Sequence, residues 1–335
     1  MNRALLTGAT GAIGPPLLTH LLGCGYQVCA LVRQNVPAGL LPAGITVIRG
    51  DVTDRSTIDK AVAGVDVVFH LAAKLHINDP SPGLKREYQR VNVEGTRCLA
   101  EAARAAGVKR FVFFSTINVY GPGGLGQFLN EGSPLHPDSF YAETKAQAEN
   151  IAFAALPAVV LRLAAVYGPN MKGNYLRLLE ALRRRRFAFV GDGLNRRTLV
   201  HVQDVCSAAI LAATHPAAPG NIYNVTDGSV HSLEQIVQAM CITLNRNPPR
   251  LRLPANVVRR LAGIIEAAAH CLLRKRVPVR AAVAKLTEDT AVSGTRIIDE
   301  LGWQPQYDLF RGWCDTIRGT GRLERENCFF PSLRI

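Results

Sequence analysis

The chain has 335 residues, room for two domains or for one large domain with a smaller companion. A hydrophobic content of 48% and a charged content of 19% are those of an ordinary globular protein and exclude a disordered or low-complexity chain. The formal net charge of +13 suits anionic partners, but no nucleic-acid motif accompanies it. The eight cysteines are scattered without a C-x-x-C pair, which gives no metal spacing and reads as a reduced, cytoplasmic chain.

The first strand begins at once, so no signal peptide is expected. The apolar run at 4–6 leads into Gly8, Gly11 and Gly14, one glycine every third residue, and then into a helical stretch at 15–22. Strand, glycine turn and helix in that order suit a dinucleotide. The glycines let the backbone turn tightly and approach a pyrophosphate, and the helix N-terminus offers N–H groups and partial positive charge. The spacing G-x-x-G-x-x-G is one residue wider at the front than the common fingerprint, and alone it also fits an ordinary glycine-rich turn.

Strands are predicted at 27–32 and 46–49, the latter ending at Gly50-Asp51, followed by a helix at 54–63 and a buried strand at 66–71. One long alanine-rich helix is predicted over 86–106, stopped by Gly107, and a nearly all-apolar strand over 111–115. Buried strands separated by helices imply an α/β fold, a Rossmann-type doubly wound parallel sheet. Ligands of such sheets bind at the carboxyl ends of the strands. That rule singles out Gly8, Arg33, Asp51, Leu71, Ala72, Ala73, Ser115 and Thr116.

A Gly/Pro-rich loop at 121–137 precedes a helix that starts near Ser139 and carries Tyr141 and Lys145, and a sixth strand follows at 158–163. Beyond Pro169 the pattern is less regular. Helices are predicted at 175–185, 202–214, 233–244, 256–273, 294–301 and 309–318, with strands at 187–190 and 222–225. The expected organisation is a dinucleotide-binding domain over 1–168, a smaller C-terminal α/β lobe over 169–318 that returns segments to it, and a tail over 319–335. The apolar stretch 261–273 is too short to span a bilayer and contains Glu266 and His270. Much of the positive excess lies at 183–186 and in Arg274, Lys275, Arg276 and Arg280. Solvated helix ends explain it, and peripheral contact with a membrane surface is the alternative.

Tyr141 and Lys145 are four apart on one predicted helix and share a face. A free tyrosine titrates near pH ~10; a neighbouring ammonium favours its phenolate and fits it to exchange a proton with a sugar or alcohol hydroxyl. Thr116, at the end of the fifth strand, can hold the same substrate oxygen. Tyr-x-x-x-Lys is common on exposed helices. Here it follows a glycine turn, five strands and a Ser-Thr strand end.

On these residues the chain resembles an extended short-chain dehydrogenase/reductase of the nucleotide-sugar epimerase/dehydratase family. The matching segments are Thr7-Gly8-Ala9-Thr10-Gly11-Ala12-Ile13-Gly14, Gly50-Asp51-Val52-Thr53, Phe69-His70-Leu71-Ala72-Ala73 and Val91-Asn92-Val93-Glu94-Gly95-Thr96. They continue through Phe114-Ser115-Thr116-Ile117-Asn118-Val119-Tyr120-Gly121, Tyr141-Ala142-Glu143-Thr144-Lys145, Val166-Tyr167-Gly168-Pro169, 197–204 and Leu301-Gly302-Trp303-Gln304-Pro305. The resemblance implies a catalytic set of Thr116, Tyr141 and Lys145. It implies cofactor contacts from Gly8, Gly11, Ala12, Ile13, Gly14, Arg33, Asp51, Val52, Leu71, Ala72, Ala73, Asn92, Ser115, Tyr141, Lys145 and Tyr167. Lys74, His76, Asn118, Asn174 and Arg197 fall on the substrate side, with Arg197 reaching a diphosphate. No metal is implied. The implied partner is a nucleotide-diphosphate sugar, UDP-linked, and the implied assembly is a homodimer formed through the helices at 86–106 and 139–155.

Three departures narrow the reaction. Members that make 4-keto-6-deoxy sugars by dehydration carry Asp-Glu after the catalytic threonine; Ile117-Asn118 stands here, so 4,6-dehydration is not expected. The second strand ends in Arg33 rather than an acid, which favours NADP(H) over NAD(H). The Arg-x-x-Asn of many epimerases becomes Arg162-Leu163-Ala164-Ala165, with Asn174 a substitute amide. With Ala72-Ala73-Lys74-Leu75-His76, this is closer to reductases of UDP-4-keto-6-deoxy-N-acetylhexosamines. The expected activity is NADP(H)-linked reduction of a nucleotide-bound 4-keto sugar. The alternatives are a UDP-hexose 4-epimerase, a steroid- or flavonol-type alcohol dehydrogenase, and a non-enzymatic NADP-sensing protein.

Overall fold

A computed structural model describes residues 2–33, 36–37, 39–75, 82–124, 126–273, 280, 283 and 287–320. His76, the basic residues 274–276 and nearly all of the expected tail lie outside the described residues.

Apolar runs with no exposed face set the centre of the molecule. β1 (Arg3–Thr7) is buried after its first residue, β4 (Val67–His70) and β6 (Val159–Leu163) throughout, and β5 (Arg110–Thr116) from Phe111 on. Such strands fit only a sheet covered on both sides. With β2 (Gln27–Val32) and β3 (Thr46–Arg49) they form a parallel sheet, completed by one strand from the second half of the chain. The short strands β7 (Ala165–Tyr167), β8 (Phe189–Val190), β9 (Arg196–Arg197) and β10 (Leu199–His201) precede that strand, β11 (Ile222–Val225). The order is β11-β6-β5-β4-β1-β2-β3 over seven strands. The chain winds in opposite directions from β1, so the β1/β4 boundary is the switch point where doubly wound sheets open a crevice.

Helices cover both faces. Leu17, Leu18 and Leu21 of α1 (Gly14–Gly23) and Val205 and Ala209 of α7 (Val202–Thr214) share a core with Ala4, Leu6 and Val112. On the opposite face α2 (Arg55–Val62), α4 (Gly95–Ala105) and α5 (Phe140–Ala155) bury Ile58, Leu99 and Ala148 with Leu5, Val68 and Phe113. Leu5 and Leu6 point to opposite cores, as strand alternation requires. Asp54 caps α2, its carboxylate accepting from Ser56 N at 3.0 Å, and Ser139 caps α5, accepting from Ala142 N at 3.3 Å.

The single helix expected over 86–106 is three pieces: α3 (Pro82–Tyr88), a widened π turn over Gln89–Glu94, and α4. Gly95 N bonds back five residues to Arg90 O. The extra residue lets Gly95 pack where a Cβ would come within 2.7 Å of Val52.

A second core joins α6 (Asn174–Arg183), α8 (Leu233–Thr243) and α11 (Leu309–Gly319), around Leu179, Phe189, Met240 and Trp313. β12 (His231–Ser232) pairs antiparallel with β9, and β13 (Arg252–Leu253) parallel with β8, leading into α9 (Ala255–Leu273). α10 (Thr295–Leu301) packs its Ile297 and Leu301 into the first core. No described helix is long and apolar enough to cross a membrane.

Candidate active site

The glycine turn lies past β1, at the switch point. Gly8 has φ +77°, and a Cβ there would stand 2.7 Å from the main chain of Leu71 and Ala72; one on Gly14 would stand 2.1 Å from Ala9 O. Gly11 differs: a Cβ there would meet only Gly8 O, at 3.3 Å. Packing demands the outer two glycines, while the middle one leaves the outer side of the turn open to a close-approaching group. Pro15 and Pro16 follow Gly14 in the first turn of α1 and carry no N–H, so Ala12, Ile13 and Gly14 supply the amides of this helix end. This cradle fits the pyrophosphate of a nicotinamide dinucleotide.

Arg33 is exposed just past β2, and Asp51 lies just past β3. Asp51 accepts from Thr53 N at 3.0 Å and Thr53 Oγ1 at 2.7 Å, with Arg90 Nη1 at 3.7 Å. Burial raises its carboxyl, but the Thr53 hydrogen bonds with Arg90 and Arg33 outweigh that and hold it below the usual range. Val52 beside it is buried under Gly95.

His70 ends β4 and is wholly buried. Its Nδ1 is 2.7 Å from Thr7 Oγ1 and its Nε2 2.9 Å from Thr96 Oγ1. Thr96 Oγ1 spends its proton on Asn92 O at 2.6 Å, so it accepts from His70 Nε2–H. Thr7 Oγ1 therefore donates to Nδ1 while accepting from Ala72 N at 3.2 Å. Burial, with Lys145 adding to it, pushes His70 down to about 3, so the ring is neutral. It pins the glycine turn and the 71–73 segment to α4.

Asn92, in the π turn, is the second pin. Its Oδ1 accepts from Lys74 N at 2.7 Å, and its Nδ2 donates to Thr144 Oγ1 at 3.0 Å, next to Lys145. π turns are frequent at functional sites, and this one ties the segment after β4 to α5.

The Ser139 cap places Tyr141 and Lys145 on the first two turns of α5. Lys145 is buried, with Nζ 3.9 Å from the centre of the Phe113 ring. Burial pushes it down to about 7 against the upward pull of Glu149. Burial, assisted by Tyr88, pushes Tyr141 up to about 12. Thr116 ends β5, and its Oγ1 accepts from Asn118 N at 3.2 Å.

Behind these groups runs a buried polar chain that sequence reasoning missed. Ser115 Oγ donates to Glu149 Oε1. Glu149 takes a two-pronged contact from Arg162, with Nη2 at 2.7 Å and Nε at 3.1 Å, both side chains 3% exposed. Arg162 Nη1 donates to Tyr120 OH at 3.0 Å, which donates to Asn224 Oδ1 at 2.8 Å. The available signal was spacing: Glu149 is one turn beyond Lys145 on the same face.

Gly8, Leu71–Ala73, Asn92, Ser115, Thr116 and Lys145 thus converge on the carboxyl ends of β1, β4 and β5. Other expected residues do not join them. Tyr167, expected at the cofactor, is wholly buried in the second core, stacked on Trp313 at 4.6 Å with its hydroxyl toward Asp308 O. Its ring fills the space that Gly312 leaves. The Lys74 ammonium, expected on substrate, pairs with Glu87 at 2.8 Å. Arg197 is on β9, where its guanidinium donates to Glu288 O. Asn118 is exposed in the turn after β5, and Asn174 is exposed at the start of α6.

Residues 4–226 match the NAD dependent epimerase/dehydratase family. A 4-hydroxy-2-methyl-3-oxo-4-farnesyl-3,4-dihydroquinoline-1-oxide ketoreductase of Stigmatella aurantiaca is 30% identical over 95% of this chain and 96% of its own length. A UDP-glucose 4-epimerase of Vibrio cholerae is 29% identical over 93% of each chain. The solved structure of MoeE5 in complex with UDP-glucose and NAD shares 28% identity and a TM-score of 0.75, covering 96% of this chain and 99% of that one.

Proposed function

The chain belongs to the NAD dependent epimerase/dehydratase family and is an enzyme of the extended short-chain dehydrogenase/reductase type, and from that premise we propose that it is an NADP(H)-linked reductase of a nucleotide-bound 4-keto sugar. What supports this reading is the convergence of the open glycine turn, Thr116 and Lys145 on one end of the sheet, with Tyr141 one turn before Lys145 on α5. Ala12, Ile13 and Gly14 amides hold the pyrophosphate, Asp51 and Val52 border the adenine, and Arg33 pairs with the ribose 2′-phosphate. When bound, the nicotinamide supplies the hydride. Thr116 holds the carbonyl oxygen of the substrate, and Tyr141, kept protonated by burial, delivers a proton to it. Lys145 holds the nicotinamide ribose and, when charged, steadies the phenolate left behind. Asn118, Asn174 and Arg197 belong to the sugar side of the cleft.

The test is nucleotide turnover with purified protein. NADPH is consumed with a UDP-4-keto-6-deoxy-N-acetylhexosamine, and Arg33→Ala raises the KM for NADPH about tenfold or more while leaving NADH use unchanged. Interconversion of UDP-glucose and UDP-galactose without net nucleotide turnover would instead make the protein a 4-epimerase. A second reading, a reductase of a ketone that carries no nucleotide, is favoured by the engagement of Arg197 with Glu288 O and by the similarity to the Stigmatella ketoreductase. It predicts NADPH consumption with a cyclic ketone while UDP-sugars fail.

A further inference from the structure

Half of the large apolar side chains that the described residues expose lie between 251 and 265: Leu251, Leu253, Val257, Leu261, Ile264 and Ile265. α9 presents two apolar faces. Ala255, Val258 and Ala262 pack inward on Val190. Val257, Leu261, Ile264 and Ile265 recur at the i, i+4, i+7, i+8 spacing of a single helical stripe, with Leu261 52%, Ile264 64% and Ile265 53% exposed. A globular protein has no packing reason to build a contiguous outward stripe of this kind.

The charge around the stripe is predominantly basic, Asp192 just past β8 being an exposed acid. Arg259 and Arg260 are exposed on α9 itself, and Arg250 just before it. Exposed Arg184, Arg185 and Arg186 follow α6 and lead into β8, which pairs with β13, and β13 runs into α9. Arg246 fastens this corner by donating to Leu182 O at 3.3 Å. Two of the nearby acids are paired with arginines. Glu266, the one acid in α9, takes Arg280 N at 2.7 Å and Arg280 Nε at 3.5 Å, and Glu234 is paired with Arg252.

We propose that this face docks the enzyme on an anionic lipid bilayer, the α9 stripe entering the headgroup boundary while the arginines meet lipid phosphates. An amphipathic helix with an apolar stripe, a basic border and too little hydropathy to span is what interfacial binding requires. Acidic lipid matches the border, and salt screens the arginine contribution but leaves the apolar one. The inference is independent of the substrate assigned above.

Vesicle flotation of the full chain tests it. The protein floats with phosphatidylglycerol-containing vesicles, floats far less with phosphatidylcholine vesicles, and loses part of its binding at high salt. Leu261→Glu with Ile264→Glu lowers binding roughly tenfold or more while thermal unfolding stays that of the wild type, because both sites face solvent. Arg184→Gln, Arg185→Gln and Arg186→Gln together lower the preference for the acidic lipid and leave residual apolar binding. The proposal is overturned if the wild type does not float with acidic vesicles, or if the double glutamate variant floats equally well. It is also overturned if sedimentation shows the glutamates splitting a dimer of this chain that ignores vesicles, which would make the stripe a self-association surface.

Discussion

Burial acts on Tyr141 and Lys145 in opposite chemical senses. It keeps the tyrosine hydroxyl protonated, pushed up to about 12, and lowers the lysine to about 7. In the proposed reduction Tyr141, held protonated, is the proton donor, and Lys145 stands one turn further along α5. Tyr141→Phe removes only the hydroxyl, so the rate of reduction is expected to fall roughly 100- to 10,000-fold with the melting temperature little changed. His70 gives a prediction in pH. Its folded value of about 3 lies below the ordinary 6.5, so its stabilising contribution is fully present above pH 6.5. As pH falls from 6.5 toward 3 the unfolded chain takes up a proton that the folded chain refuses, and stability declines, by at most about 1.4 kcal/mol per pH unit. His70→Gln lacks that group, so the difference between wild-type and variant urea midpoints should shrink across this range. Parallel curves would remove the neutral buried imidazole from the account.

Among the elements, the Glu149–Arg162 pair joins α5 to β6 and, through Ser115 and Tyr120, to the end of β5. Glu149→Gln leaves a buried guanidinium without its counter-charge and is expected to cost ~3–5 kcal/mol in denaturant unfolding; replacing both partners by apolar residues should cost less. Little of this pair is legible in the sequence, where Arg162 stands out only for the asparagine missing after it. The buried strands were legible because residues without an exposed face have one solution: the strand at 27–32 and the helix at 202–214 emerge with the bounds their apolar runs imply. The π turn was not, because one extra residue does not interrupt the alanine-rich periodicity around it. Asn92 stands out by its motif, but its clamp on Lys74 and Thr144 spans segments 18 and 52 residues away and exists only after folding. Tyr167 shows the converse: its motif is plain, yet its place was decided by Trp313 and Gly312, far along the chain.

In the whole molecule, the sheet and the second core meet through short strands, β7 pairing with β10 just beyond β6. β11 and α7 return from the second half to complete the first layer, so both halves of the chain build the sheet whose carboxyl ends carry Thr116 and the glycine turn. The chemistry assigned to that edge is reduction of a sugar ketone at C4, with hydride from a reduced nicotinamide and a proton from Tyr141. The most direct test supplies NADPH deuterated at nicotinamide C4 together with a UDP-4-keto-6-deoxy-N-acetylhexosamine and reads the product by mass spectrometry and NMR. The account predicts one deuterium at sugar C4 for each NADPH consumed, all on one face, and almost none with Tyr141→Phe. A product without deuterium at C4, or transfer that proceeds unchanged in Tyr141→Phe, would contradict it.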